Sequence, residues 1–181
     1  TVDFNISAAE NKWTAEPSIT GWTYGESANA PSYGVKFGNV KIEYKKASEP
    51  DSAYTIAVPA NAGDYNVRLS VAATKNFGGL TKALDFTIAK ASVAIPTVPG
   101  KIYTGENLTA DITDGEHYTV SENNGGTEVG RYDVELTLKD SANYYWEGKE
   151  KDVSEITVDF NISAAENKWT AEPSITGWTY G

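Results

Sequence analysis

The chain contains no cysteine, no glutamine and a single histidine among its 181 residues. Without cysteine it can form neither a disulfide nor a thiolate metal site, and a thioester cross-link is excluded too. A Thr–Gln ester is excluded in the same way, whereas a Lys–Asn isopeptide bond stays open. A single histidine, His117, cannot form a histidine-based zinc site. No Gly-x-Ser-x-Gly motif, which would carry a nucleophilic serine, is present either. We therefore expect no enzyme activity, no cofactor and no bound metal.

Long apolar runs and an excess of basic residues are also absent. No stretch approaches eighteen apolar residues, so the sequence predicts no membrane-spanning helix, and no signal peptide is seen. We expect this pattern in an internal piece of a longer secreted protein. The 25 acidic residues outnumber the 15 basic ones and give a net charge of −10. This balance disfavours nucleic acid and membrane insertion as partners and favours a soluble surface protein.

What is abundant is typical of an all-β protein. Apolar residues make up 40% of the chain and aromatic residues 12%, a composition that folds rather than stays disordered. Tyr, Val, Thr and Ile fall into short alternating runs separated by Gly, Pro and Asn clusters. No segment has the length and period of a core helix. The sequence thus predicts β-sandwiches made of antiparallel strands.

The most informative feature is an exact repetition. The 25 residues TVDFNISAAENKWTAEPSITGWTYG occupy Thr1–Gly25 and again Thr157–Gly181. The offset from Thr1 to Thr157 is 156 residues, which marks one period of a tandem array and an overlap into the next copy.

A shorter, divergent repeat lies inside that period. Gly63–Val71 has its counterpart in Gly130–Leu138, 67 residues later. Leu84–Ile88 has its counterpart in Val158–Ile162, 74 residues later, so the second copy carries a seven-residue insertion between these landmarks. Each landmark alternates apolar and polar residues, as a half-buried strand does.

A tyrosine two residues after a glycine opens the long strand of each copy. Tyr65 and Tyr132 stand at equivalent positions, and each resembles the tyrosine corner of immunoglobulin-like sandwiches, whose hydroxyl bonds to upstream backbone. We interpret both as structural residues. On this mapping the insertion lies in the loop between strands F and G of the second copy.

These landmarks define the predicted organisation. Residues 1–8 are the closing strand of a preceding unit, 9–91 and 92–165 are two immunoglobulin-like units, and 166–181 are the incomplete start of the next repeat, identical to 10–25. The joints lack flexible linkers, which predicts an extended array with neighbouring repeats as partners. An unpaired closing strand invites pairing with another chain, so we expect head-to-tail self-association through Thr1–Ala8.

The recurring motifs together resemble bacterial immunoglobulin-like surface repeats of the MBG/YDG type. They are Tyr103-Thr104-Gly105, the Gly-x-Tyr-x-Val strand, the Asn-Tyr/Phe element and the closing Phe-x-Ile strand. The first unit departs from this pattern, because its Tyr24-Gly25 element is one residue shorter. The resemblance implies an extracellular, bacterial cell-surface location and an adhesin-like or spacer role. It brings no catalytic residues.

Two interpretations are open for the aromatic residues of the inserted loop. Tyr145 and Trp146 lie in the inserted loop, and exposed aromatic side chains there could stack on a glycan or anchor a host protein. A structural role, such as covering the end of the sandwich, is the other interpretation.

The acidic run Asp111–Glu116 could offer oxygen ligands to calcium, but it lacks the spacing of a known calcium loop.

Overall fold

A computed structural model describes residues 2–181, so Thr1 of the predicted strand Thr1–Ala8 lies outside the described residues. Within 2–181 the secondary structure is twelve β-strands and one short 3-10 helix, with no α-helix. The prediction of an all-β protein is confirmed. The strands are β1 (Trp13–Ser18), β2 (Trp22–Thr23), β3 (Ser32–Val35), β4 (Lys41–Lys46), β5 (Gly63–Val71), β6 (Leu80–Ala89), β7 (Ala91–Val93), β8 (Lys101–Ile102), β9 (Tyr118–Asn123), β10 (Gly130–Leu138), β11 (Tyr144–Trp146) and β12 (Glu155–Ser163), and the 3-10 helix is Asp51–Ala53. A helix capable of crossing a membrane is not found in this part of the chain.

The chain divides into two compact units. The first contains the residues up to Ile95 together with Asp140–Ser154, and the second contains Pro96–Lys139 together with Glu155–Gly181. This division follows spatial contacts and not sequence landmarks, so the repeat bounds 9–91 and 92–165 stay a prediction. The segment Asp140–Ser154, which holds the predicted insertion, lies in the first unit.

The first unit is built on a four-stranded sheet with the order β2-β6-β5-β4. Strands β4, β5 and β6 are antiparallel neighbours, whereas β2 joins β6 in parallel at Trp22↔Ile88. Alternation along β5 places every second side chain in the core, because successive side chains of a strand point to opposite faces. The buried core cluster comprises Trp22, Tyr44, Tyr65, Val67, Leu69, Phe86 and Ile88.

Two smaller sheets complete this unit. Strand β1 pairs with β3 in an antiparallel, irregular ladder, and β7 pairs in parallel with β11. Strands β3, β7 and β11 have only four, three and three residues, and the six residues of β1 do not alternate between buried and exposed side chains. Their positions therefore depend on the residues against which they pack.

The second unit contains a four-stranded sheet with the order β8-β12-β10-β9. Its long strands β10 and β12 are antiparallel from Gly130↔Ile162 to Thr137↔Glu155, and β8 joins β12 in parallel at Ile162↔Lys101. Their alternating side chains form the core of this unit. Its buried members on these strands are Val134, Leu136, Leu138, Ile156, Phe160 and Ile162. The two four-stranded sheets thus share one strand order and one set of parallel and antiparallel pairings.

One outward-facing residue differs from expectation. The alternation of β4 places Glu43 in water, yet its relative exposure is only 8%. Lys41 Nζ lies 2.7 Å from one of its carboxylate oxygens, and Arg68 lies 3.0 Å from the other. Two basic side chains therefore lie against the carboxylate, which a pattern of apolar and polar letters does not reveal.

Candidate functional site

The two predicted corner tyrosines make equivalent hydrogen bonds. The Tyr65 hydroxyl donates to the carbonyl of Asn61 at 2.9 Å, and the Tyr132 hydroxyl donates to the carbonyl of Glu128 at 2.9 Å. Each bond spans four residues and ties a strand to the turn before it. Tyr65 is buried and Tyr132 is half-buried. These hydroxyls are therefore engaged in backbone contacts rather than presented to a ligand.

The inserted aromatic segment is packed into the first unit. Trp146 has a relative exposure of 0%, and its Nε1 donates to the carbonyl of Ser154 at 3.1 Å. It lies on β11, which pairs with β7. Because no part of its ring reaches the surface, Trp146 has no face on which a sugar could stack. Its packing is that of a core residue.

Tyr145, the other residue predicted to contact a ligand, is half-buried beside Trp146. The ammonium group of Lys151 lies 5.5 Å from the centre of its ring, within cation–π range. Tyr144, the preceding residue of β11, packs edge to face against Tyr24, with ring centroids 5.3 Å apart. The inserted segment thus presents its aromatic side chains mainly to the protein.

Asn143, the first residue of the Asn-Tyr element of the second copy, fixes this segment, a role that the sequence did not indicate. Its exposure is 6%. Its Nδ2 donates to Asp140 Oδ2 at 2.8 Å and to Asn61 Oδ1 at 3.3 Å, while its Oδ1 accepts from the Ala62 amide at 2.8 Å. A buried amide with all these partners specifies one geometry, because leaving any of them unmatched is costly.

The inner repeat relates Asn143 to Asn76, and the two residues make equivalent backbone hydrogen bonds. The Ala91 amide donates to the Asn143 carbonyl at 2.9 Å, and the Ala9 amide donates to the Asn76 carbonyl at 2.8 Å. Asn76 and Asn143 are related by the 67-residue offset. Lys90 strengthens the arrangement around Asn143, because its Nζ donates to the carbonyls of Ser141 at 2.6 Å and Lys151 at 2.9 Å.

A cluster of charged side chains lies around Glu43 on the first sheet. The hydrogen bond from Lys41, followed by that from Arg68, lowers the pKa of Glu43 from its ordinary value. The Arg68 guanidinium also stacks 4.0 Å from the ring centre of Tyr54, whose pKa is raised mainly by burial. Every charge in the cluster has a partner. The arrangement stabilises the sheet and leaves no unpaired group for acid–base chemistry.

The acidic side chains considered as calcium ligands make contacts within the protein instead. Asp111 pairs with Lys101 at 2.6 Å, and Asp114 accepts the Val120 amide at 2.8 Å. Over residues 2–181 no three acidic or histidine side chains converge in an arrangement that could hold a metal ion. His117 Nε2 lies 3.9 Å from Glu116.

Among the described residues, the most exposed large apolar side chains lie in two segments of the repeated sequence, residues 2–8 and residues 164–181. Val2, Phe4 and Ile6 are 95%, 86% and 81% exposed, and Trp169 and Trp178 are 76% and 85% exposed. Neither residues 2–8 nor residues 164–181 lie in a strand. Exposed apolar side chains are thus concentrated in these two segments.

Comparison with known proteins adds no family. No protein-family model matches the chain, and no curated protein matches it.

Proposed function

We propose that the chain is a non-catalytic structural segment of a bacterial cell-surface or secreted adhesin-like protein. In this proposal its units are tandem immunoglobulin-like β-sandwiches in an extended array. The array acts as a stalk that holds a distal binding domain away from the cell. Its partners are the neighbouring repeats of its own chain.

The observation that carries the proposal is the reuse of one sheet design. The sheets β2-β6-β5-β4 and β8-β12-β10-β9 have the same order and the same strand directions. Both contain a tyrosine whose hydroxyl bonds to the carbonyl four residues upstream. Together with the identical 25-residue copies, this supports a protein that gains length by adding units, since copy number requires no new site.

Short joints support a stiff array. The predicted repeats 9–91 and 92–165 follow each other without a Gly/Ser-rich linker. The stiffness of the array is part of the proposal and rests on this absence of a flexible linker. The bacterial surface location rests on the resemblance to MBG/YDG repeats.

Small-angle scattering tests the stalk directly. The maximum dimension is measured for this chain and for one extended by another 156-residue period. We expect the dimension to grow in proportion to length, because stiff joints add the full length of each unit. A nearly unchanged dimension would mean that the units fold back on each other, and the stalk would be abandoned.

Binding to a glycan or a host protein remains the alternative prediction. The burial of Trp146 speaks against an exposed aromatic platform, and Tyr145 offers only part of its ring. Titration with a glycan panel, followed by intrinsic fluorescence, distinguishes the two functions. A saturable change that is lost in Tyr145→Ala would favour the binding module.

A further inference from the structure

The segment 166–181 has the same sequence as 10–25, yet it contacts nothing comparable. All of its residues are exposed, including the equivalents of buried Asn11, Pro17 and Trp22. Trp178 is 85% exposed, whereas Trp22 is 8% exposed. Local sequence cannot explain this difference, because it is identical. The difference comes from the residues that surround the folded copy.

Those surroundings begin with a socket for Asn11. Its Nδ2 donates to the carbonyls of Phe37 at 3.1 Å and Gly78 at 3.2 Å, and its Oδ1 accepts from the Phe37 amide at 3.1 Å. The Lys12 amide also donates to this oxygen at 3.0 Å, so four backbone groups match one side-chain amide. A buried amide with these partners selects Asn over other residues.

A second group of contacts holds the tryptophan. The Trp22 ring stacks on Phe86 with centroids 5.2 Å apart, and Trp22 pairs with Ile88 in the sheet. The Tyr24 amide donates to the Ala89 carbonyl at 2.8 Å. The Asn29 side chain donates to the carbonyls of Thr20 and Gly21. The partners that hold 10–25 therefore lie mainly between residues 29 and 89.

We propose that residues 166–181 are a docking segment for a second copy of this chain. They enter the first unit of that copy in the place and register of residues 10–25, so that copies join head to tail by strand exchange. The acceptor residues recognise side chains and backbone, and both are the same in 10–25 and 166–181. Exchange of an identical element is a low-cost route to association.

The covalently attached copy competes with the incoming one. A short flexible tether holds its segment at an effective concentration in the millimolar range, which is about tenfold above a chain concentration of about 100 µM. The wild-type chain is therefore mainly monomeric at that concentration. A substitution that weakens only 10–25 by more than this factor shifts the balance to 166–181 of another molecule.

Gly21 and its equivalent Gly177 provide that substitution with a matched control. A Cβ atom built on Gly21 would collide with the backbone carbonyl oxygen of Thr87, whereas one built on Gly177 would have nothing within 4 Å. Gly21→Ala therefore penalises the attached copy only where it is docked. Gly177→Ala leaves the monomer unchanged but prevents its segment from docking elsewhere.

The first measurement is molar mass by sedimentation velocity over a range of concentrations. We expect Gly21→Ala to form a ladder of oligomers, and Gly177→Ala and the double variant to remain monomeric. Trp22→Ala, with Trp22→Ala/Trp178→Ala as its control, repeats the comparison if the sheet accommodates the methyl group added at Gly21. Monomeric Gly21→Ala and monomeric Trp22→Ala up to millimolar concentration, folded or not, would overturn the proposal. So would oligomers that persist in the double variants.

A disulfide trap tests the register. The native chain has no cysteine, and Thr23 pairs with Ala89. Thr179→Cys in one chain and Gly21→Ala/Ala89→Cys in another should give a disulfide-linked heterodimer on mixing. Thr170→Cys should not, because its equivalent Thr14 lies in β1, which pairs with β3. Equal cross-linking by both cysteines would contradict the stated register. The proposal does not depend on display at a cell surface, so its failure leaves the stalk untouched.

Discussion

The two copies of one 25-residue sequence have different structures in this protein. Phe160 lies on β12 with an exposure of 0%, while its equivalent Phe4 is 86% exposed and outside any strand. Trp22 is buried on β2, while its equivalent Trp178 is exposed. Since intrinsic propensity is the same in both copies, the difference shows that neighbouring strands determine whether this sequence folds. In each copy, only the part that pairs with neighbouring strands is folded.

The largest expected difference concerns Phe160. Phe160→Ala removes a fully buried ring on β12, and we expect a loss of about 3–5 kcal/mol in the free energy of unfolding. The same substitution at Phe4 should change the free energy of unfolding by less than about 0.5 kcal/mol. Urea denaturation of both variants measures the contrast. Equal effects would show that residues 2–8 take part in the folded structure.

The next comparison uses the buried amide of Asn11 and its exposed equivalent Asn167. Asn11→Ala leaves the Phe37 amide and two carbonyls without their side-chain partner, and we expect destabilisation of about 1–3 kcal/mol. Asn167→Ala should be silent, because that side chain is exposed. Thermal unfolding of the two variants checks this. If Asn11→Ala were also silent, the socket would contribute nothing to specificity.

A smaller effect is expected at the corner tyrosines. Tyr65→Phe removes one hydrogen bond to Asn61 and keeps the ring, so we expect a loss of about 1 kcal/mol. Tyr132→Phe should cost less, because Tyr132 is only half-buried and water can replace its bond. Tyr180→Phe, in the exposed copy, is the control and should have no effect on the urea midpoint. A larger effect at Tyr132 than at Tyr65 would contradict this ranking.

The smallest effect is the pH dependence that Glu43 contributes to the first unit. The pKa of Glu43 is lowered by Lys41 and Arg68, so its contribution to stability is present above the ordinary glutamate pKa. That contribution is lost as the pH falls through the lowered value. Acidification should therefore weaken the unit that holds 10–25 and leave the exposed 166–181 unchanged. Unfolding of Glu43→Gln as a function of pH should lack this component, and an unaltered profile would assign it to other groups.

Sequence alone predicted the elements that carry their own pattern. Alternation in Tyr65–Val71 and Tyr132–Leu138 identified β5 and β10 and most of their buried residues. Strands β2, β7, β8 and β11 have two or three residues each, too few for a period to be recognised. Their existence depends on pairing with β6, β11, β12 and β7, which only the folded chain brings together.

The same limit explains why the burial of the aromatic segment 144–146 could not be predicted from the sequence. In the sequence, Trp146 stands in an insertion among polar residues, a context typical of an exposed loop. Asn143 accepts a hydrogen bond from the Ala62 amide, and the Lys90 side chain donates to the Ser141 carbonyl, so residues far away in sequence hold the segment in which Trp146 is buried. Glu43 is the converse, an outward residue covered by the side chains of its neighbours. Both cases involve tertiary contacts that leave no periodic trace.

Residue-resolved amide hydrogen exchange by NMR tests the central claim most directly, namely that tertiary partners alone decide which copy folds. Intrinsic exchange rates depend on local sequence, so equivalent amides in the two copies share one reference rate, and their protection can be compared directly. In dilute solution we predict strong protection for Tyr24, which donates to Ala89, and for the paired amides of Thr157–Ser163. We predict little protection for Tyr180 and for residues 2–7. Equal protection of the two copies would contradict the account.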